Sequence, residues 1–443
     1  MGIARVEQAL YAYARDRLPE VEFSFLDPKS GVFHALSPAW RKIVLGWDGQ
    51  IDLSTRTPWR RAGLRRLLPS RYRIVMALER RRLTARSARV AAAMHAAQRA
   101  VLALRSHTFP FVNRAGERIA MVPFDLAVGP AIAPGPGDVI LSPGADWAHK
   151  PASMVAGLKA RLGFRYAVVC YDLIPILFPD CYSAKDVAAF TAHWRGMFAL
   201  ADLVICNSRR VAADVAAWCA GEGIVPAEIA VAPLGYDPAP PLAAAALPEG
   251  LEPGRYALFV STIEPRKGHA MLLRAWRRLR EAGVVECSGF KLVFVGRPGW
   301  MVDELLEQLQ AETADGGVVH LRGISDAQLT GLYREAAFCV YPSRYEGFGL
   351  PLIEAFAHGT AVISSTGGSM PEVAAGRAPC LDPADEDAWV EILARWIEDP
   401  AARAPYEAAI RAAPPPESWE RAAGRILSLA AALLESGKAE AGL

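Results

Sequence analysis

Two short stretches hold the side chains with the greatest chemical reach. The first, S-T-I-E-P-R-K-G at residues 261–268, sets Arg266 and Lys267 side by side where an apolar run ends and an amphipathic one begins. A guanidinium that grips two oxygens, next to a compact ammonium, suits a diphosphate whose charge must be held as it departs. If the stretch opens a helix, its free amides and dipole favour an anion at the same place. Taken alone, a solvated basic turn would look the same. The second stretch, Y-P-S-R-Y-E-G-F-G-L-P-L-I-E at 341–354, puts Glu346 in a glycine-rich turn and Glu354 in the helix that follows. Gly347 and Gly349 would let a ligand approach the backbone closely. The pattern is not the G-x-G-x-x-G of dinucleotide folds.

Both stretches lie in a half of the chain with a regular rhythm. From about Tyr256 onward, β-branched runs alternate with longer amphipathic ones: YALFVS then HAMLLRAWRRLREAG, KLVFVG then MVDELLEQLQAE, VVHLRG then SDAQLTGLYREAA, FCVYPS then a helix through Leu352, and TAVISS. Strand–helix alternation at this spacing predicts βαβ units on a parallel sheet, with ligands at the carboxyl ends of the strands. Glu346 would then face the cleft and Glu354 line its wall. The earlier half repeats the rhythm less regularly, with strand candidates VEFSFL, DVILSPG, YAVVCYD, LVICNS and IAVAPLG. Residues 234–254, rich in Pro, Gly and Ala, read as a connector. The expected domains are therefore 1–240 and 255–413, with a final helix over 414–443 that could pack on either.

With 443 residues, two domains are the default. The 49 basic and 47 acidic residues nearly cancel, which leaves no global reason to expect nucleic acid as a partner. Seven cysteines are scattered without a C-x-x-C pair and read as reduced core residues in a cytoplasmic protein. No apolar stretch reaches the length of a membrane-spanning helix, and no secretory signal opens the chain. The histidines stand apart from other metal-ligating residues, so no metal is expected.

E-G-F-G-L-P-L-I-E, with its two glutamates separated by seven residues, resembles the signature of retaining family 4 glycosyltransferases of the GT-B fold. S-T-I-E-P-R-K-G resembles the diphosphate loop of that family. The runs G-I-S-D-A-Q-L-T-G-L-Y-R-E-A-A-F-C-V-Y-P-S and G-T-A-V-I-S-S-T-G-G-S-M-P-E-V are similar to it as well. The resemblance implies two facing, doubly wound Rossmann-like α/β domains and transfer of a hexose from a nucleoside diphosphate sugar, which is a co-substrate; no other cofactor is implied. On the matching positions it makes Arg266 and Lys267 the holders of the donor diphosphate, together with the amides around Gly347, Phe348, Gly349 and Leu350. It brings Glu346 to the sugar hydroxyls and Glu354 to the ribose, sets Thr262 in the donor loop, and puts the base near Gly323. V-V-C-Y-D-L-I-P resembles the segment where many members carry His-Asp. Tyr171 stands in place of that His and is a poor general base, so Asp172 is the better polar candidate. Members also open with a strand and a glycine-rich loop that nears the phosphates. Here only the loop around Gly2 is recognisable, and the first strand is expected to be missing.

One segment departs from the even charge. Residues 56–105 contain 14 Arg, no Lys and a single acidic residue, Glu79. A basic amphipathic helical insert there would suit an anionic membrane at the inner face of the cell and an acceptor carried on a lipid. An Arg-rich solvated face accounts for the same composition. The leading expectation is a hexosyltransferase acting on a glycan or lipid-linked acceptor in surface polysaccharide synthesis, with mannose from a guanosine donor as the first guess. A sugar-nucleotide epimerase on the same fold and a non-enzymatic protein binding anionic membranes are the alternatives.

Overall fold

The computed structural model describes residues 2–27, 31–36, 128–144, 151–226, 228–237 and 246–441, with scattered positions between 78 and 119. The Arg-rich segment 56–105 lies almost wholly outside the described residues. The chain packs as two compact units, one of residues 3–138 with 149–164, the other of 139–148 with 165–443.

The first unit opens on helix α1 (Gly2–Arg17), whose Val6, Leu10 and Ala14 recur every fourth residue and are buried. Gly2 is thus the first residue of a helix, not part of the loop expected of it. Strands β1 (Ser24–Asp27) and β2 (Val32–Leu36) pair antiparallel, Ser24 opposite Ala35. The residues between them are too few for the crossover that a parallel pair needs. Two short strands, β3 (Phe111–Val112) and β4 (Arg118–Ile119), pair with each other, and β5 (Val128–Ile132) runs antiparallel along β2. The strand expected in VEFSFL therefore exists, but in an antiparallel sheet and not in a doubly wound one. Helix α2 (Ala152–Leu162) completes the unit.

The second unit holds two parallel sheets. In the first, β6 (Val139–Ser142), β7 (Arg165–Cys170), β8 (Leu203–Cys206) and β9 (Glu228–Val231) lie in chain order. Helices α3 (Ala184–Leu200) and α4 (Arg209–Gly221) connect them, each started by a serine, Ser183 and Ser208, whose hydroxyl accepts an amide of the first turn. In the second sheet β10 (Tyr256–Val260), β11 (Lys291–Val295), β12 (Val318–Leu321), β13 (Phe338–Tyr341), β14 (Val362–Ser365) and β15 (Cys380–Leu381) take the order β12-β11-β10-β13-β14-β15. Strands such as FCVY of β13 are buried and apolar throughout, as strands covered on both faces must be.

The connecting helices are α5 (His269–Glu281), α6 (Asp303–Ala314), α7 (Asp326–Glu335), α8 (Leu350–Ala357), α9 (Met370–Ala374) and α10 (Glu386–Glu398). On α5, Leu272, Trp276 and Leu279 face inward, while Arg274 and Arg278 stay outside. Trp276, with Trp389 and Trp396 of α10, forms the bulkiest part of this core. Each buried indole contributes at most about 4–6 kcal/mol from its apolar area. After α11 (Ala404–Ala412), helix α12 (Trp419–Ala441) returns to pack on β6, β7 and β8 of the first sheet. Its entry lies against the connector, where the Tyr236 amide donates to the Glu417 carbonyl at 2.8 Å.

The second sheet reverses direction of growth between β10 and β13. Loops leaving these two neighbours at their carboxyl ends diverge to opposite faces, and the crevice between them is the natural ligand position of such a sheet.

Candidate functional site

Arg266 and Lys267 occupy a single helical turn, Pro265–Lys267, between β10 and α5. Glu346 sits on the loop between β13 and α8. Because β10 and β13 are adjacent, these loops touch: the Arg344 amide donates to the Arg266 carbonyl at 2.7 Å. Gly268 ends the basic turn with φ +83°, and a Cβ there would overlap the Pro342 carbonyl oxygen, so this position requires glycine twice over.

The side chains then converge. Arg266 Nη1 donates to Glu346 Oε2 at 2.9 Å and to the Tyr345 carbonyl at 2.8 Å. Lys267 Nζ donates to Glu346 Oε1 at 2.5 Å, and the Ser343 hydroxyl to the same oxygen at 2.7 Å. On its other side Arg266 Nη2 meets Glu264 Oε1 at 2.8 Å, which leaves Nε buried with no partner. Glu346 is fixed along its backbone as well, since Ser369 donates both its amide and its hydroxyl to the Glu346 carbonyl at 3.0 Å. A pocket at this point is lined by Ser261, Lys267, Ser343, Glu346, Gly349 and Met370, among others.

Burial pushes the Glu346 carboxyl up, but Arg266 and Lys267 more than offset this and hold it down at about 2. It is therefore a permanent anion at neutral pH. Burial lowers the Lys267 ammonium, and the charge of Arg266 lowers it further. Burial raises Glu264 against the pull of Arg266. Two cations thus share their field with several carboxylates, and no side chain in the cluster is free of a charged neighbour.

Asp172 arrives from the other sheet, two residues beyond β7. Its Oδ1 accepts the Ile174 amide at 3.0 Å. Its carboxyl is raised, first by burial, with Arg266 opposing and Glu346 adding to the rise. Contact with the Glu346 loop is tight: a Cβ on Gly347 would overlap the Tyr171 carbonyl oxygen and lie 3.0 Å from the Asp172 Cβ. Only a glycine allows the two loops to meet. Tyr171 is committed elsewhere, its hydroxyl donating to the Pro143 carbonyl.

The remaining expected residues are placed differently. Phe348 is buried, Gly349 is the N-cap of α8, and Leu350 is its first residue; the helix start has no side-chain cap, Pro351 has no N–H, and the Leu352 amide donates to the Gly349 carbonyl at 3.0 Å. Thr262 follows β10, its carbonyl accepting the Ser261 hydroxyl. Glu354 is buried on α8 and accepts the Tyr333 hydroxyl at 2.9 Å. Gly323 is exposed beyond β12, two strands from β10 and thus about 10 Å to the side. Glu264 and Ser343 were not singled out from the sequence. Glu264 carries a signal there, an acidic residue two positions before Arg266; Ser343 carries none. Among the described residues, no group of three or more His, Cys, Asp or Glu could hold a metal ion.

Comparison with known proteins bears on this half of the chain. Residues 249–413 match the family model "Glycosyl transferases group 1". O-antigen chain mannosyltransferase B of Escherichia coli is 36% identical over 144 residues, 32% of this chain and 37% of that protein. Serotype-specific mannosyltransferase WbdA of Escherichia coli is 33% identical over 217 residues, 46% of this chain and 26% of that protein. The matched part of the chain thus spans between a quarter and two fifths of these relatives. Among solved structures, sucrose-phosphate synthase from Thermosynechococcus elongatus superposes with a TM-score of 0.50 at 23% identity, covering 67% of this chain and 73% of that one, a likeness of fold. The likeness to the group 1 glycosyltransferases is thus carried by residues 249–413, and the fold is that of the GT-B enzymes.

Proposed function

We propose that the protein transfers a hexose, mannose in the first instance, from a nucleoside diphosphate sugar to a hydroxyl of a glycan or lipid-linked acceptor, with retention at the anomeric carbon. The observation that carries this is the convergence of Arg266, Lys267 and Glu346 at the reversal point of the second sheet. The mannosyltransferase relatives support the choice of sugar and a role in surface polysaccharide assembly.

The chemistry divides among the residues as their charges dictate. Arg266 and Lys267 turn from Glu346 toward the diphosphate and neutralise it as it leaves, with the unpartnered Arg266 Nε and the Leu350 amide at the start of α8 as further donors. Glu346, ionised at any working pH, accepts hydroxyls of the sugar and holds its ring against the departing group. Asp172 meets the same sugar from the other sheet. Glu354 and Gly323 serve the ribose and base ends of the donor. The positive charge that the leaving group needs comes from side chains in this scheme. The Arg-rich segment 56–105 would bring the chain to an anionic membrane, where a lipid-linked acceptor is found. Among the described residues no helix is long and apolar enough to cross that membrane.

Thermal shift with GDP-mannose, UDP-glucose and related donors tests the assignment. A donor at 100 times its dissociation constant should add about 2.7 kcal/mol of stability. Release of nucleoside diphosphate only on addition of acceptor separates transfer from epimerisation. A chain that no sugar nucleotide stabilises does not have this function.

A further inference from the structure

Large apolar side chains are exposed at only five of the described positions: Val90, Leu177, Val225, Trp300 and Met301. Three of them lie on two segments that meet beside the cluster. Leu177 belongs to the segment that follows Asp172, and Trp300 and Met301 to the loop that leaves β11. That loop is not slack. The Ile263 amide donates to the Arg297 carbonyl at 3.0 Å and the Gly299 amide to the Ile263 carbonyl at 2.8 Å, which ladders it onto the strand end carrying Glu264 and Arg266. Met301 holds φ +54°, a left-handed value that a side chain of its size adopts only under constraint.

Trp300 is 42% exposed, yet its ring is fixed. The indole N–H donates to the Cys181 carbonyl at 2.9 Å, and Tyr182 lies behind it at 5.4 Å between ring centroids with the planes 34° apart. Tyr182 is half-buried, within reach of the charges of Arg266, Asp172 and Glu264. Its neighbours are clasped too, Asp180 by Arg344 at 2.5 Å and Phe178 by the same guanidinium over its ring. An aromatic face left in water while its edge is bonded and its back packed is preorganised for a flat apolar partner.

We propose that Trp300, backed by Tyr182, is the platform on which a pyranose ring of the acceptor glycan stacks. The C–H face of a pyranose presents positive partial charge to the negative face of an aromatic ring, while its hydroxyls stay at the rim in water. Acceptor is favoured over nucleobase because Trp300 leans onto the segment of the sheet that bears Asp172. The base end of the donor was assigned to the end of β12, on the other side of β11. The inference rests on the function proposed above and names the substrate class at the mouth of that site.

The test uses the full chain and two separate titrations, one with α-mannotriose and maltotriose by saturation-transfer NMR, the other with GDP-mannose and UDP-glucose by thermal shift. In Trp300→Leu, oligosaccharide affinity should fall about tenfold or more, with the response to sugar nucleotide unchanged; Trp300→Phe, which keeps an aromatic face, should retain most of it. Equal oligosaccharide binding by wild type and Trp300→Leu overturns the platform, as does absence of oligosaccharide binding by the wild type. Loss of nucleotide response in Trp300→Leu, with oligosaccharide binding intact, assigns the indole to the base instead. Failure of the proposed function is distinct: the wild type then answers to no sugar nucleotide, whatever the oligosaccharides do.

Discussion

Ser208, the residue that caps α4 on the first sheet, donates its hydroxyl to the carbonyl of Gly347 on the Glu346 loop of the second, at 2.9 Å. The Ser208 hydroxyl oxygen in turn accepts the Val211 amide at 3.1 Å. One hydroxyl therefore starts a helix and ties the two sheets together at the candidate site. Nearby, Glu372 of α9 accepts the amides of Arg209 and Arg210, and Tyr345 donates to Asp214 of α4.

Ser208→Ala should cost about 1–2 kcal/mol through the lost cap and the unpaired Gly347 carbonyl. Turnover should fall beyond what the stability change explains, because the Glu346 loop loses its tie to the first sheet. Denaturant unfolding together with kcat at a temperature well below the melting point checks both. A variant as stable and active as the wild type would show that the contact is idle.

Gly347→Ala is the sharper perturbation. The new methyl overlaps the Tyr171 carbonyl, so the loops have to part. Activity should drop by at least about tenfold, since small displacements of catalytic groups are costly, while the fold persists. Circular dichroism and initial rates separate the two effects.

Arg266→Ala and Lys267→Ala should each cut turnover by about 10²-fold or more, the usual cost of removing one donor to a developing anion. Both remove a partner of Glu346 as well. The complementary Glu346→Ala leaves two buried cations facing each other and should destabilise by about 3–5 kcal/mol. Steady-state kinetics on soluble, folded variants would sink the assignment if both cation variants kept full turnover.

The acid limb of stability follows from the same ion pairs. Glu346 titrates at about 2 in the folded protein, against about 4.3 in an unfolded chain. Its folded value is the lower one, so its contribution is fully present above pH ~5 and is lost as pH falls toward 2. That contribution is on the order of 3 kcal/mol. Asp172 and Glu264, both raised by burial, act in the opposite sense and gain stability as they take up protons. The gap in unfolding free energy between wild type and Glu346→Gln should therefore be widest near neutrality and narrow between pH 5 and 3. A gap that stays constant over that range would contradict the ion-pair account.

Tyr171→Phe offers a contrast. Its hydroxyl is spent on the Pro143 carbonyl, so removal should cost about 1–3 kcal/mol of stability and leave kcat nearly unchanged. A large kcat loss in a well-folded Tyr171→Phe protein would mean that the phenol takes part in the chemistry after all.

Much of this molecule is written locally. Each β-branched run from YALFVS to TAVISS became a strand, and each amphipathic run after it a helix, because period and propensity act within a few residues. Arg266, Lys267 and Glu346 were legible as types and spacings next to strand ends, and parallel topology alone puts such ends on one edge of a sheet. Other relationships needed the tertiary structure. Nothing near Glu354 in the chain says that Tyr333 will take its carboxylate, and nothing in VEFSFL says that its strand will join an antiparallel sheet. Ser208 meeting Gly347, Asp172 meeting the cation cluster and Trp300 meeting Cys181 depend on packing between segments more than a hundred residues apart, except for Asp172, which lies about ninety residues from Arg266. The sequence by itself determined which elements form and which charges stand at their tips. Which of those charges face one another was decided by the tertiary structure, within the second sheet for Arg266, Lys267 and Glu346 and between the two sheets for Asp172, because side-chain pairing is set by distance in space and not by distance along the chain.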